Sequence, residues 1–241
     1  MIGTATHPQK AVMITGASRG IGLETAKSLA LPESGFSKIV MLARPSQELS
    51  DGCDYVASIN PDCEVVKLEA DLSDPAAADH VFGVLDSQKI RLTTMVNNAG
   101  FTRPASINEA ELADFQKTMQ VNVYSPFQLI QGALRHNHPL THLINIASTA
   151  GIGGRSGWLT YSASKAAVIS MSEVLREELK PYGIDVICLS PGRCATDLRK
   201  TLAPDEDPNT IMQPDEVASV IKLMISPLGQ LLKSQNLVVR T

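Results

Sequence analysis

Tyr161 and Lys165 are the side chains of this 241-residue sequence best spaced to move a proton. They open a strongly helical stretch, Tyr-Ser-Ala-Ser-Lys, and an i,i+4 separation puts phenol and ammonium on one face, one turn apart. An ammonium beside a phenol favours the phenolate, so a group that titrates near ~10 when free could serve as acid and base closer to neutrality. Thirteen residues before Tyr161, Ser148 ends the apolar run 143–148 and offers a hydroxyl at the tip of an expected strand. Alone, Tyr-x-x-x-Lys is ambiguous, because the same spacing arises in helices where the tyrosine packs and the lysine is solvated. The elements that position the pair have to decide.

The first of those elements is a short buried strand over 10–15 that runs into Gly16-Ala-Ser-Arg-Gly20-Ile-Gly22 and then a helix to Leu31. Strand, glycine-rich turn and helix in that order form a phosphate-binding βα unit. Gly16 permits the tight turn, Gly20 lets backbone approach a pyrophosphate, and Gly22 lets the helix sit close to the sheet. The spacing is G-x-x-x-G-x-G rather than G-x-G-x-x-G. The next strand, Lys38–Ala43, is followed by Arg44, where a ribose 2′-hydroxyl would call for an acid. Arg44 together with Arg19 suits a 2′-phosphate, which favours NADP over NAD; the plain alternative is an ordinary surface arginine.

Further along, a strand over 64–71 ends at Asp71, a helix spans 75–89, and a strand over 92–97 ends in Asn97-Asn98-Ala99-Gly100. A long helical pattern covers 107–136, with Leu112, Phe115, Met119, Val123, Phe127 and Ile130 along one stripe. Then come the strand to Ser148, the Tyr161 helix to about Tyr182, and a strand over 184–190. Pro191-Gly192 leads into a polar stretch to Gln213, and a helix over 214–226 and a strand over 236–240 close the chain. Strand and helix alternate throughout, without linker or repeat, which predicts one doubly wound α/β domain over residues 1–241 with a parallel sheet. The Gly16 loop, Arg44, Asp71, Asn97, Ser148 and Pro191 all fall at strand C-termini, the edge where such sheets bind ligands.

Composition narrows the function. Apolar residues are 44% and charged residues 19%, as in a globular protein, and a net charge of −4 gives no electrostatic footprint for nucleic acid. No run of 18 uncharged apolar residues occurs and residues 1–10 lack a basic then apolar leader, so a soluble, cytoplasmic protein away from membranes is expected. Cys53, Cys63, Cys188 and Cys194 show no C-x-x-C spacing and read as reduced thiols. His136, His138 and His142 stand between a helix and a strand, where a polar turn is the expectation and a metal site the alternative. No metal is expected.

The motifs together resemble the short-chain dehydrogenase/reductase family from Val12 to about Arg240. They are Thr15-Gly-Ala-Ser-Arg-Gly-Ile-Gly22, Asp71, Asn97-Asn-Ala-Gly100, Asn122, Ser148, Tyr161-x-x-x-Lys165 and Pro191-Gly-Arg-Cys-Ala-Thr196. The resemblance implies a Rossmann-type sheet of about seven strands in the order 3-2-1-4-5-6-7 with helices on both faces. It implies that Tyr161 donates a proton to a substrate carbonyl, that Ser148 hydrogen-bonds the same oxygen, and that Lys165 binds the nicotinamide ribose while lowering the Tyr161 pKa. Asn122 would hold a relay water, Asp71 would meet the adenine and Thr196 the nicotinamide carboxamide. The implied NADP contacts are Gly16, Ser18, Arg19, Gly20, Ile21, Gly22, Arg44, Asp71, Leu72, Asn98, Ala99, Gly100, Tyr161, Lys165, Pro191, Gly192 and Thr196. Such proteins are commonly dimers or tetramers, so a homo-oligomer is expected.

Two stretches depart from the family pattern. Lys233-Ser234 replaces the usual Thr-Gly before the last strand, and the sequence ends at Thr241 without the usual Gly-Gly. The expected substrate lid after Thr196 carries Asp205-Glu206-Asp207 and no legible specificity code. Gly100-Phe-Thr-Arg-Pro104 resembles the ketoacyl reductases of the family, which makes 3-oxoacyl thioesters one candidate among ketones for an NADPH-dependent carbonyl reductase, reversible as an alcohol dehydrogenase. A catalytically silent NADP-binding sensor or scaffold is the other reading, marked by loss of Tyr161, Lys165 or Ser148; all three are present. Arg155, Arg193, Arg199 and Lys200 could meet an anionic substrate or be solvated. Pro126 has no N–H for the carbonyl of Asn122, which either frees that carbonyl for the relay water or merely bends the helix around the sheet.

Overall fold

The computed structural model describes residues 10–232 and 236–240. Seven parallel strands form one sheet in the order β3-β2-β1-β4-β5-β6-β7. They are β1 (Ala11–Thr15), β2 (Lys38–Ala43), β3 (Glu64–Glu69), β4 (Thr94–Asn97), β5 (His142–Ile146), β6 (Asp185–Pro191) and β7 (Asn236–Val239). The helices are α1 (Gly20–Ala30), α2 (Gln47–Ile59), α3 (Ala77–Ser87), α4 (Leu112–Met119), α5 (Ser125–Arg135), α6 (Leu159–Leu179), α7 (Asp197–Leu202) and α8 (Pro214–Ile225).

Strand period and helix stripe together build two cores. Val12 and Ile14 of β1 point to one face with Ile39 and Met41 of β2, and meet Leu29 of α1, Leu49 of α2 and Ile221 of α8. Met13, Val40 and Leu42 point to the other and meet Phe82 and Leu85 of α3 and Leu129 of α5. Burial on both faces is why β1 and β2 read as unbroken apolar runs. Strand order reverses between β1 and its two neighbours, β2 and β4, and that reversal opens a crevice at the strands' C-terminal ends.

Three stretches differ from the sequence expectation. The segment between β2 and β3 forms α2, capped by Ser46, whose side chain accepts the Leu49 amide. The expected helix over 107–136 begins at Leu112 and is divided by a π-helical turn, Gln120–Tyr124. That turn adds one residue to the helical repeat and rotates α5 relative to α4. The expected apolar stripe is broken: Leu112 and Phe127 are exposed and Ile130 is buried. The polar stretch after Pro191 contains α7, capped by Thr196. β7 forms and pairs with β6, and Ser190 Oγ donates to Asn236 Oδ1 at 2.7 Å; Lys233 and Ser234 lie outside the described residues.

Candidate active site

At the end of β1 the chain turns through Gly16 at φ +67°, where a Cβ would stand 2.9 Å from the Ala99 Cα. Thr15 Oγ1 accepts the amides of Asn98 and Ala99, both at 3.0 Å, and Asn98 Nδ2 donates to the Thr15 carbonyl at 2.9 Å. These bonds lock the loops after β1 and β4 together. α1 starts at Gly20, its N-cap Arg19 makes no side-chain cap, and its first turn holds no acid. Its first amides, with the helix dipole behind them, suit an anion. Gly20 itself has φ +56°. A bare cradle at a helix N-terminus fits a dinucleotide pyrophosphate. Gly22 lies under it: a Cβ there would be 2.3 Å from the Gly16 carbonyl, so its role is to let α1 close on the turn.

Beyond β2, Arg44 is exposed and its charge reaches Asp71. Burial pushes the Asp71 carboxyl up, but bonds from the Ser73 amide and hydroxyl, helped by Arg44, outweigh that and hold it below its ordinary value. Arg19 does not stand with Arg44 but reaches across to Asp197 of α7 at 3.1 Å, in a pair more than half exposed on both sides.

Tyr161 and Lys165 meet Ser148 on the floor of the same cleft. Ser148 ends the β5 segment and accepts the Ala150 amide at 3.1 Å. Its hydroxyl also acts on the Tyr161 phenol, favouring the phenolate against burial. Tyr161 is 6% and Lys165 4% exposed. Lys165 Nζ donates to the Ile146 carbonyl at 2.7 Å and lies 5.8 Å from the Tyr161 ring centre. Burial pushes the Lys165 ammonium down to about 8. This corrects one expectation: the ammonium is turned to Ile146, so burial dominates at Tyr161 and raises it, opposed by the Ser148 hydroxyl and the Arg199 charge. Tyr161 is held protonated at neutral pH.

A cleft of about 800 Å³ gathers nearly all the expected residues. Its lining includes Gly16, Ser18, Arg19, Gly20, Ile21, Arg44, Asp71, Leu72, Asn98, Ala99, Gly100, Ser148, Tyr161, Lys165, Pro191, Gly192 and Thr196. Asn122 is outside it. At 1% exposed, its Oδ1 accepts the Phe101 amide at 2.8 Å while its Nδ2 donates to the Phe101 carbonyl at 3.0 Å and Ser164 Oγ at 2.9 Å. It clamps the loop after β4 to α6. Thr196 uses its Oγ1 to accept the Arg199 amide at 3.1 Å.

The sequence reading missed the wall beside Tyr161. Trp158 meets Tyr161 edge-on at 6.4 Å, with the Arg155 guanidinium 5.0 Å and the Arg199 guanidinium 5.4 Å from its ring centre. Arg199 is clamped by Glu206 through Nε at 2.5 Å and Nη2 at 2.7 Å, and Arg193 joins the same carboxylate at 3.4 Å. The one available signal was Trp158, three residues before Tyr161 and at the N-cap of α6. The histidines have separate partners: His136 Nδ1 bonds Asp86 at 2.7 Å and His138 Nδ1 accepts the Leu92 amide at 3.0 Å. Among the described residues no group of three metal-ligating side chains occurs, and the four cysteines are buried free thiols.

A family model described as short chain dehydrogenase matches residues 10–207. A 3-oxoacyl-[acyl-carrier-protein] reductase of Synechocystis is 31% identical over 221 residues, covering 88% of this chain and 87% of that one. The rhamnolipids biosynthesis 3-oxoacyl-[acyl-carrier-protein] reductase of Pseudomonas aeruginosa is 33% identical over 202 residues, covering 80% and 76%. Among solved structures, a short chain dehydrogenase from Burkholderia cenocepacia in complex with NADP is 26% identical, with a TM-score of 0.84 over 95% of this chain and 96% of that one.

Proposed function

The chain belongs to the short-chain dehydrogenase family, and from that premise we propose that it is an NADP-dependent oxidoreductase that reduces the carbonyl group of a small organic substrate, reversibly. 3-Oxoacyl thioesters are the first class to try, since the curated relatives carry that activity in their names. The observation that carries the reading is the meeting of Ser148, Tyr161 and Lys165 in one cleft with a side-chain-free glycine cradle and Arg44.

NADPH, when bound, supplies the hydride. The α1 N-terminus would hold its pyrophosphate, Arg44 its 2′-phosphate, Asp71 and Leu72 its adenine end, and Lys165 with the Pro191–Thr196 segment its nicotinamide end. Arg19 would join Arg44 by leaving Asp197. Tyr161 delivers its proton to the carbonyl oxygen as negative charge develops there, and Ser148 donates a second hydrogen bond to that oxygen. A buried phenol that keeps its proton at neutral pH suits this direction. Asn122 keeps the Phe101 backbone, one wall of the cleft, in register with α6.

We extend the proposal to assembly and place. Tyr124, Phe127 and Leu134 are exposed along one side of the α5 helix, which favours a homo-oligomer. Sedimentation that finds only monomer at micromolar concentration contradicts this. No described helix is long and apolar enough to cross a membrane, and four buried free thiols accord with a reducing cytoplasm. The direct test of function is NADPH against NADH oxidation with a panel of ketones, 3-oxoacyl thioesters and sugar-derived carbonyls. The expected result is turnover of at least one class with a higher kcat/KM for NADPH. Turnover of none by folded protein, or preference for NADH, overturns it.

A further inference from the structure

The structure separates Arg155, Arg193, Arg199 and Lys200, the four residues that the sequence offered to an anionic substrate. Arg193 and Arg199 are both taken by Glu206. Lys200 is exposed and absent from the cleft lining. Arg155 lines the cleft, and among the described residues no carboxylate pairs with it. Its guanidinium lies 5.0 Å from the Trp158 ring, whose edge meets Tyr161.

The acids of the cleft lie elsewhere. Glu48 and Asp71 stand beyond β2 and β3, and Asp197 is paired with Arg19. The wall around Tyr161 is instead built from Trp158, Leu198 and Leu202, with Arg155 and Arg199 at the indole and Glu206 already occupied by Arg199 and Arg193. Apolar walls with charge of one sign focus a field onto the space between them. Resting on the carbonyl-reductase reading above, we infer that Arg155 is a specificity-determining residue: it receives an anionic group, a carboxylate or phosphate, carried by the carbonyl substrate, and Trp158 holds the guanidinium flat for it. A planar guanidinium stacked on an indole keeps its outer edge free for two parallel hydrogen bonds to such a group. Arg199, neutralised by Glu206, also packs on the indole, 5.4 Å from its ring centre.

The plain alternative is that Arg155 only packs on Trp158, as arginines do on exposed aromatic faces. Arg155→Met separates the two, because it keeps an apolar chain over the indole and removes the charge. The assay is NADPH oxidation with 3-oxo, 4-oxo and 5-oxo carboxylates, each against its methyl ester. Wild type should favour at least one carboxylate over its ester by about tenfold in kcat/KM, and Arg155→Met should erase that preference through KM. Equal or better use of every ester by wild type, or an equal loss on both partners in Arg155→Met, overturns the inference. A second readout is independent of turnover. Trp158 is the only tryptophan in the sequence, so its fluorescence reports directly on this wall. Titration of the NADP-loaded protein with the same carboxylates should give a saturable change that the esters and Arg155→Met lack. Protein that reduces nothing contradicts the carbonyl-reductase reading, and the titration then decides the claim about Arg155 alone; no saturable change sinks it.

Discussion

Lys165 is an ammonium held where water is scarce, with the Ile146 carbonyl as its hydrogen-bond partner and its pKa pushed down to about 8. A base depressed in the folded state binds fewer protons than the unfolded chain between pH 8 and its ordinary value of 10.5, so stability rises with pH across that window. Below pH 8 the cost is fully present. Lys165→Met should therefore raise the Tm at pH 7, by about 2–4 °C for a gain of ~1 kcal/mol, while turnover is lost. The gain should shrink as pH rises from 8 towards 10.5, and thermal melts at the two pH values check it; a lower Tm at pH 7 contradicts it. At the rim, Arg44→Asp removes a phosphate partner and adds a repelling charge, so the kcat/KM ratio of NADPH to NADH should fall about tenfold or more. An unchanged ratio would mean that Arg44 is an ordinary surface arginine. Residue types and spacing made Ser148, Tyr161 and Lys165 legible as a group. The direction of the Lys165 amine and the wall made by Trp158 were not, because both depend on residues 146, 155 and 199, which spacing along one helix does not bring together.

Strands were legible where an apolar run was unbroken, as in β1 and β2, and α6 by the helical composition around Tyr161 and Lys165. Helices were obscured where local chemistry changes the period. α2 has only Leu49, Cys53 and Val56 as buried side chains of any size, around Gly52, and its stripe is too sparse to stand out. The π-helical turn before α5 adds a residue that no 3.6-residue template anticipates. It lies where Pro126 denies the Asn122 carbonyl an i+4 amide, while Pro126 itself sits in the first turn of α5, where a missing N–H is tolerated. We propose that the proline keeps this turn wide, so that the Asn122 side chain reaches Phe101 and Ser164 and its carbonyl stays available to a water. Pro126→Ala should let the turn tighten and lower kcat roughly tenfold with little change in NADPH affinity, because sub-ångström misplacement of a cleft wall acts on the reaction more than on binding. Unchanged kcat in single-turnover and steady-state assays would reduce the proline to a bend around the sheet.

Across the whole molecule, alternation of strand and helix was enough to expect a doubly wound parallel sheet, and the reversal of strand order beside β1 explains why residues from 16 to 202 reach one crevice. What alternation could not give was the α7 side of the cleft. α7 and the Glu206 clamp on Arg199 and Arg193 close a segment that reads as merely polar, because ion pairs between side chains leave no periodic mark. On the proposed reading this crevice holds NADPH at the glycine cradle and the Tyr161 hydroxyl protonates the substrate oxygen. That reading is tested most directly by Tyr161→Phe, with NADPH oxidation and NADPH binding measured on the same preparation. The expected result is a kcat lower by about a hundredfold or more and a Kd for NADPH within about twofold of wild type, since the lost hydroxyl acts on the substrate alone. Retention of most of the activity, with binding intact, would contradict it.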